Sequence, residues 1–310
     1  MTVVASTLRL GTRRSALALA QSEDVAAALR RLSHNVELVE VVTEGDRSAA
    51  AIQTMGGTGV FVTELRRRLA DGDIDLAVHS LKDLPTQPSD GLVVAAIPPR
   101  ADARDALVAR DGATLGELPA GARVGTGSPR RSAQLRALGL GLEVVAIRGN
   151  VDTRLRRVAD GEVDAVVVAA AGLARLGRSD EATEVLDPVQ MLPAPGQGAL
   201  AVECRADDED LVAALAVLDD ADTRAAVTAE RTVLAALEAG CTAPVGALAD
   251  VALGDDGAEI YLRAVVASVD GAGTVRLSAT GPAADAVGLG HRLAAALLDA
   301  GAAGLIGEIP

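Results

Sequence analysis

Ala70-Asp-Gly-Asp-Ile-Asp75, running straight into the apolar Leu76-Ala-Val78, is matched later by Ala159-Asp-Gly-Glu-Val-Asp164, which runs into Ala165-Val-Val-Val168. Each copy follows an Arg-rich helical pattern, over 61–70 and 151–159. Each glycine falls where a helix ends and a left-handed residue is wanted. Each apolar run then reads as a buried parallel strand, hydrophobic on both faces. A looser pair lies upstream of these. Leu8-Arg-Leu-Gly-Thr-Arg-Arg-Ser15 opens a helical pattern over 16–32, and Arg123-Val-Gly-Thr-Gly-Ser-Pro-Arg-Arg-Ser132 opens one over 130–138. Both read as short strand, Gly-Thr turn, arginines, helix. The two pairs keep the same order, so two similar α/β domains are expected, with a cleft between them.

Working outward, further strands are expected at 36–43, 92–97, 143–148 and 199–203. Residues 207–217, 222–239 and 284–300 carry helical periodicity. Stretches 243–253, 259–268 and 274–280 read as short antiparallel strands joined by Gly/Asp turns. The expected division is domain 1 over 1–98 with 198–218, domain 2 over 99–197, and a small α+β domain over 219–310. At roughly 150 residues per domain, 310 residues allow two or three.

Composition narrows the function classes. Apolar residues make up 49% of the chain, which excludes a disordered polypeptide. The net charge of −14 argues against a general nucleic-acid binder. Phe61 and Tyr261 are the only aromatics, too few for a base-stacking platform. No apolar run approaches the ~18 residues of a membrane helix. The start, MTVVASTLRLGTRR, has neither a basic n-region nor a long apolar h-region, so no signal peptide is expected. Two cysteines, Cys204 and Cys241, make no disulfide framework. These features together suggest a cytoplasmic protein, and with no large apolar surface stripe evident, a monomer.

Charge is unevenly spread. Residues 201–310 hold 6 basic and 18 acidic residues, whereas 123–157 holds eight arginines against Glu143 and Asp152. A basic island in an acidic protein points to an anionic small ligand, and a solvated helix face is the bland alternative. Among 29 basic residues there is one lysine, Lys82.

Ser128-Pro129-Arg130-Arg131 is the most informative local feature. Ser suits an N-cap and Pro the first helical position. Two arginines in the first turn oppose the helix dipole, at about 0.3–1 kcal/mol each. Such an arrangement often presents backbone N–H groups and guanidinium forks to a carboxylate or phosphate. Arg13, Arg14 and Ser15 repeat it in the first half. Arg148 and Arg154 sit at a strand end and the next helix start, and Arg175 ends a post-strand stretch; the strand ends of α/β sheets face the ligand crevice. Asp83, beside Lys82, falls after a buried strand, where a carboxylate can hold a proton or stabilise a cation; it could equally cap the turn before Pro85. Cys241 lies in a loop of small residues that leave its sulfur accessible as a nucleophile, while Cys204 reads as structural. No paired metal-ligand spacing occurs. The loop Gly56-Gly57-Thr58-Gly59 lacks a P-loop lysine.

The segments LRLGTRRSALALAQ, GGTGVFVTEL, DLAVHSLKDLPT, VGTGSPRRSAQL, IRGNVDTRL, AAAGLARLG, LPAPGQGALAVECR and AGCTAPVG follow one another over 8–246. With them the chain resembles the porphobilinogen deaminase (hydroxymethylbilane synthase) family. The resemblance implies two periplasmic-binding-protein-like α/β domains plus a small α+β C-terminal domain. It implies a transferase that condenses four porphobilinogen molecules, head to tail, into hydroxymethylbilane with release of ammonia. It implies a dipyrromethane primer held by a thioether on Cys241, and no metal. Asp83 would then assist deamination and stabilise cationic pyrrole species. Lys82, Asp83, Thr126, Ser128, Arg130, Arg131 and Arg148 would hold the cofactor, and Arg13, Ser15, Arg154, Arg175 and Phe61 the substrate.

Two positions depart from the family pattern: Thr58 stands where Lys is common, and Glu44 where Arg is common. Phe61 could pack on the cofactor or simply anchor the core. A non-catalytic anion binder would need the arginines but neither Cys241 nor Asp83, and a protein-interaction scaffold would leave the first-turn arginines unexplained.

Overall fold

The computed structural model describes residues 7–41, 59–238, 243–255 and 257–306. They fall into two compact units: one within residues 1–100 and 199–221, the other within 101–198 and 222–310.

In the first unit, β1 (Leu8–Thr12), α1 (Ala16–Arg31), β2 (Val36–Glu40), α2 (Gly59–Ala70) and β3 (Leu76–Ser80) alternate. β4 (Leu92–Ala96) closes one edge, and β10 (Leu200–Arg205) returns between β3 and β4 to give the order β2-β1-β3-β10-β4. β1 runs parallel to β2 and β3, whereas β10 is antiparallel to both of its neighbours. The second unit repeats the plan. β6 (Arg123–Thr126), α3 (Pro129–Ala137), β7 (Glu143–Ala146), α4 (Val151–Ala159) and β8 (Ala165–Ala169) alternate, followed by the short helix α5 (Ala170–Arg175). Its sheet order is β7-β6-β8-β5-β9, with β5 (Asp105–Ala109) antiparallel to β8 and to β9 (Glu184–Val185). Each is the two-faced α/β layer expected of a periplasmic-binding-protein-like domain.

The repeated motif has a physical basis. Gly72 and Gly161 both have φ of +74°, the left-handed turn that ends α2 and α4. The apolar runs that follow are buried because helices cover both faces. Leu76 and Val78 pack with α1 and with α6 (Glu209–Ala216), while Ala77 meets Leu65 and Leu69 of α2. In the second unit Val166 and Val168 face Leu155 and Val158 of α4, and Val167 faces Leu135 of α3. These runs are parallel on one side only. β3 and β8 each have an antiparallel strand on the other side, a detail that continuous hydrophobicity does not encode. β5 was not among the expected strands, because four apolar residues after Asp105 are too short a run to separate from a buried loop. The Gly-Thr pairs are packing devices: a Cβ on Gly11 would fall 2.3 Å from Ile74 Cδ1, and one on Gly125 2.8 Å from Ile147 Cδ1.

The remainder of the second unit is a three-stranded antiparallel sheet, β11 (Val245–Gly254), β12 (Gly257–Ala267) and β13 (Thr274–Pro282). It packs one face on α7 (Ala221–Ala236) and α8 (Ala286–Asp299), and the short α9 (Ala303–Ile306) follows. No helix among the described residues is long and apolar enough to cross a membrane.

Candidate active site

The expected site residues collect, unit by unit, where parallel strands end. In the first unit β1 and β3 are parallel neighbours, so their C-terminal ends share one sheet edge. Arg13 and Ser15 follow β1; Lys82 and Asp83 follow β3 in a single 3₁₀ turn, Leu81–Asp83. Ser15 is the N-cap of α1, its hydroxyl accepting from Ala18 N at 3.3 Å, and the buried Thr12 hydroxyl donates to Ala18 O at 3.2 Å. The turn bearing Asp83 is firmly seated. Gln21 Nε2 donates to Ser80 Oγ at 2.8 Å, and Leu81 N donates to Ala199 O at 3.0 Å. Leu81 and Leu84 are buried on either side of Lys82 and Asp83, which stay half-exposed. A rigid turn with buried neighbours presents a carboxylate and an ammonium at the strand edge, where they can act on a ligand.

Below this turn lies a buried ionic cluster. Glu203 on β10 accepts three bonds from Arg66 of α2, the shortest 2.8 Å, and lies 3.1 Å from His79 Nε2. Burial raises the Glu203 pKa, but His79 and Arg66 outweigh it and hold the carboxyl below its ordinary value. His79 is thus a buried core-edge residue. Cys204 is fully buried, and its thiol is pushed up to about 11 by desolvation first, with Asp208 adding to it; it is an inert packing residue.

In the second unit β6, β7 and β8 deliver the arginines. Ser128 caps α3, accepting from Arg131 N at 3.4 Å, with Pro129 at the helix start. Thr126 is buried and its Oγ1 accepts from Ser128 N at 3.2 Å. Arg130 and Arg131 are almost wholly buried, at 3% and 5% exposure, and both pair with Asp105 at the start of β5. The first-turn arginines of α3 therefore meet an internal anion. Burial alone would raise the Asp105 pKa; Arg130 and Arg131 more than offset it, and the carboxyl stays well below the usual range. Two guanidinium groups against one carboxylate leave a positive surplus, and Arg130 Nε is buried with no hydrogen-bond partner among the described residues.

Arg148, after β7, is exposed and meets no carboxylate among the described residues. Arg154, in the first turn of α4, donates from Nε to Gly149 O at 2.9 Å. Burial, and then the repulsion of Arg131, lower its pKa. Its Nη2 lies 3.7 Å from where a Cβ on Gly127 would sit, and that Cβ would come within 2.6 Å of Ile147 O, so only Gly fits there. Arg175 ends α5 and donates from Nη2 to Gly198 O at 2.9 Å. Asp152, in the first turn of α4, pairs with Arg178 at 2.5 Å.

Cys241, Thr58 and Glu44 lie outside the described residues, as does the side chain of Phe61 within α2. Asp105, Gln134 and Gln197 were missed in the sequence. The one available signal was an aspartate opening the apolar run Asp105-Ala-Leu-Val-Ala109, which is costly unless paired. No group of three or more His, Cys, Asp and Glu among the described residues could hold a metal ion. The second unit's cluster suits a multiply carboxylated organic ligand: guanidinium groups in excess of carboxylates and an unpartnered buried N–H.

Residues 8–213 match the family model described as the porphobilinogen deaminase dipyromethane cofactor binding domain, and residues 224–299 match the porphobilinogen deaminase C-terminal domain. A curated porphobilinogen deaminase of Nocardia farcinica is 61% identical over 307 residues, covering 97% of this chain and 88% of that protein. One from Mycobacterium tuberculosis strain H37Rv is 60% identical over 300 residues, covering 95% of this chain and 97% of that protein. Among solved structures, the methionine binding protein MetQ aligns at 16% identity and a TM-score of 0.43, covering 68% of this chain and 89% of that one.

Proposed function

This chain belongs to the porphobilinogen deaminase family of enzymes, and on that premise we propose that it is the transferase that condenses four porphobilinogen molecules head to tail into hydroxymethylbilane with release of ammonia, primed by a dipyrromethane on Cys241. One observation carries the reading: at the strand edge of the second unit, guanidinium groups outnumber carboxylates, as a growing poly-acid requires. Each added pyrrole brings two carboxylates, so spread arginines can neutralise successive additions.

When bound, the dipyrromethane supplies a pyrrole terminus to which incoming units are joined. Arg130, Arg131 and Arg148, with Lys82 and the hydroxyls of Thr126 and Ser128, would hold its acetate and propionate groups. Arg13, Ser15, Arg154 and Arg175 would bind those of the incoming substrate, with Phe61 packing nearby. Asp83, on its rigid turn, would hold a proton at its carboxylate oxygens as ammonia departs and stabilise the cation that forms. The thioether on Cys241 requires the thiolate as nucleophile, and the residues flanking it in the sequence are small. The division into 1–98 with 198–218, 99–197 and 219–310 belongs to the same proposal and is supported by three separate sheets. A cytoplasmic monomer is the corresponding expectation.

Intact mass spectrometry of protein purified from porphobilinogen-producing cells tests the reading. We expect an adduct of two pyrrole units, lost in Cys241→Ser and retained in Cys204→Ser. An unmodified wild-type chain, or an adduct that survives Cys241→Ser, would refute it.

A further inference from the structure

Asp105 has no exposed surface, and its surroundings are built around one oxygen. Oδ1 accepts from Arg131 Nε at 3.1 Å, Arg131 Nη2 at 2.7 Å and Gln197 Nε2 at 2.8 Å, while Oδ2 lies 2.8 Å from Arg130 Nη1. Gln197 is itself fully buried and fixed, for its Nε2 also donates to Ala103 O at 2.7 Å. Arg131 is tied at its third nitrogen, Nη1 donating to Val167 O at 3.1 Å. The same strap of chain grips α3 from another side. Leu192 O accepts from Arg130 Nη1 at 2.5 Å and Gln134 Nε2 at 2.9 Å, and Leu192 N donates to Gln134 Oε1 at 2.8 Å. Segment 192–197 and the start of β5 thus clamp both guanidinium groups, and a neutral amide completes the clamp where glutamate would have the same shape.

The geometry points to Asp105 and Gln197 as positioning residues: Asp105, held by the Gln197 amide, fixes the buried guanidinium groups of Arg130 and Arg131 in place, and the neutrality of Gln197 leaves the cluster with a net positive charge for the ligand's carboxylates. Two buried guanidinium groups side by side repel, and one shared carboxylate holds them together. A second carboxylate at position 197 would cancel the charge that the anionic dipyrromethane needs. This inference rests on the proposed cofactor role of Arg130 and Arg131.

Three variants test it, read by circular dichroism, by melting temperature and by the fraction of soluble chain carrying the two-pyrrole adduct. Gln197→Glu keeps the outline, loses both donated hydrogen bonds and adds a charge; the loaded fraction should fall at least about tenfold. Gln197→Met removes the hydrogen bonds without adding charge; loading should fall about threefold in protein with a native circular dichroism spectrum. If Gln197→Glu does not fold, Gln197→Met carries the test alone. Full loading of folded Gln197→Met, with only a lower melting temperature, would mean a merely structural role and overturn the inference. Arg131→Gln separates the two ideas. Full loading there refutes the cofactor role of the arginine itself; lost loading there with full loading in Gln197→Met refutes the positioning role alone.

Discussion

Asp83 and Lys82 occupy adjacent positions on a turn whose backbone is fixed by Ser80, Leu81 and Leu84, so substitutions at either change chemistry with little change in fold. Asp83→Ala should leave the melting temperature within a few degrees and lower turnover by about 10²–10⁴-fold, the range for losing a positioned acid or base. Steady-state rates beside a thermal melt check this; near-normal turnover would remove Asp83 from its role. Lys82→Arg should be milder than Lys82→Ala if only charge is used. The residue scale also separates two signals that look alike in sequence. Glu203 interrupts an apolar run and Asp105 opens one, and both are buried, but one pairs with His79 and Arg66 in the first unit, the other with Arg130 and Arg131 in the second.

Among elements, α2 is fastened to the first sheet by Arg66 bridging to Glu203 of β10. Because the folded Glu203 pKa lies below its unfolded value, its contribution is present above the ordinary glutamate value of about 4.3 and is lost as pH falls below that toward the folded value. Glu203→Gln should therefore cost about 1–3 kcal/mol at neutral pH, where it leaves the half-buried Arg66 guanidinium without its carboxylate. The wild-type and variant stabilities should converge in acid, and urea melts at about pH 7 and pH 3 would reveal it. Equal differences at both pH values would show that the pair is not what Glu203 contributes. The helices themselves were legible: Ser15 and Ser128 cap where the sequence put them, because a cap is a local hydrogen bond. The mixed strand directions and β5 were not, because pairing partners lie far along the chain.

For the molecule as a whole, the chain passes between its two units at 100/101, 198/199 and 221/222. Gly198 stands at one of these passages with φ of +87°, and a Cβ there would sit 2.5 Å from Ala101 O. Gly198 O also accepts from Ala101 N at 3.3 Å and from Arg175 Nη2 at 2.9 Å. Gly198→Ala combines a left-handed backbone with a clash against a backbone carbonyl. It should lose roughly 1–3 kcal/mol, seen as a drop of several degrees in melting temperature, whereas Gly177→Ala, also at positive φ but with nothing near its Cβ, should lose less. Equal losses would leave the contact with Ala101 without energetic weight.

The sequence alone determined the repeated strand–turn–helix plan, the helix caps, the left-handed glycines and the set of arginines near strand ends. These are matters of local conformation and of hydrophobic period, and each is written within a dozen residues. The tertiary structure alone decided which charges are spent internally. Asp105 lies 25 residues from Arg130 in the chain, and Gln197 a further 67 beyond it. No local rule connects them; they meet because β5 inserts antiparallel beside β8 and the 192–197 strap folds back over α3, and a buried carboxylate is stable only where such distant cations converge.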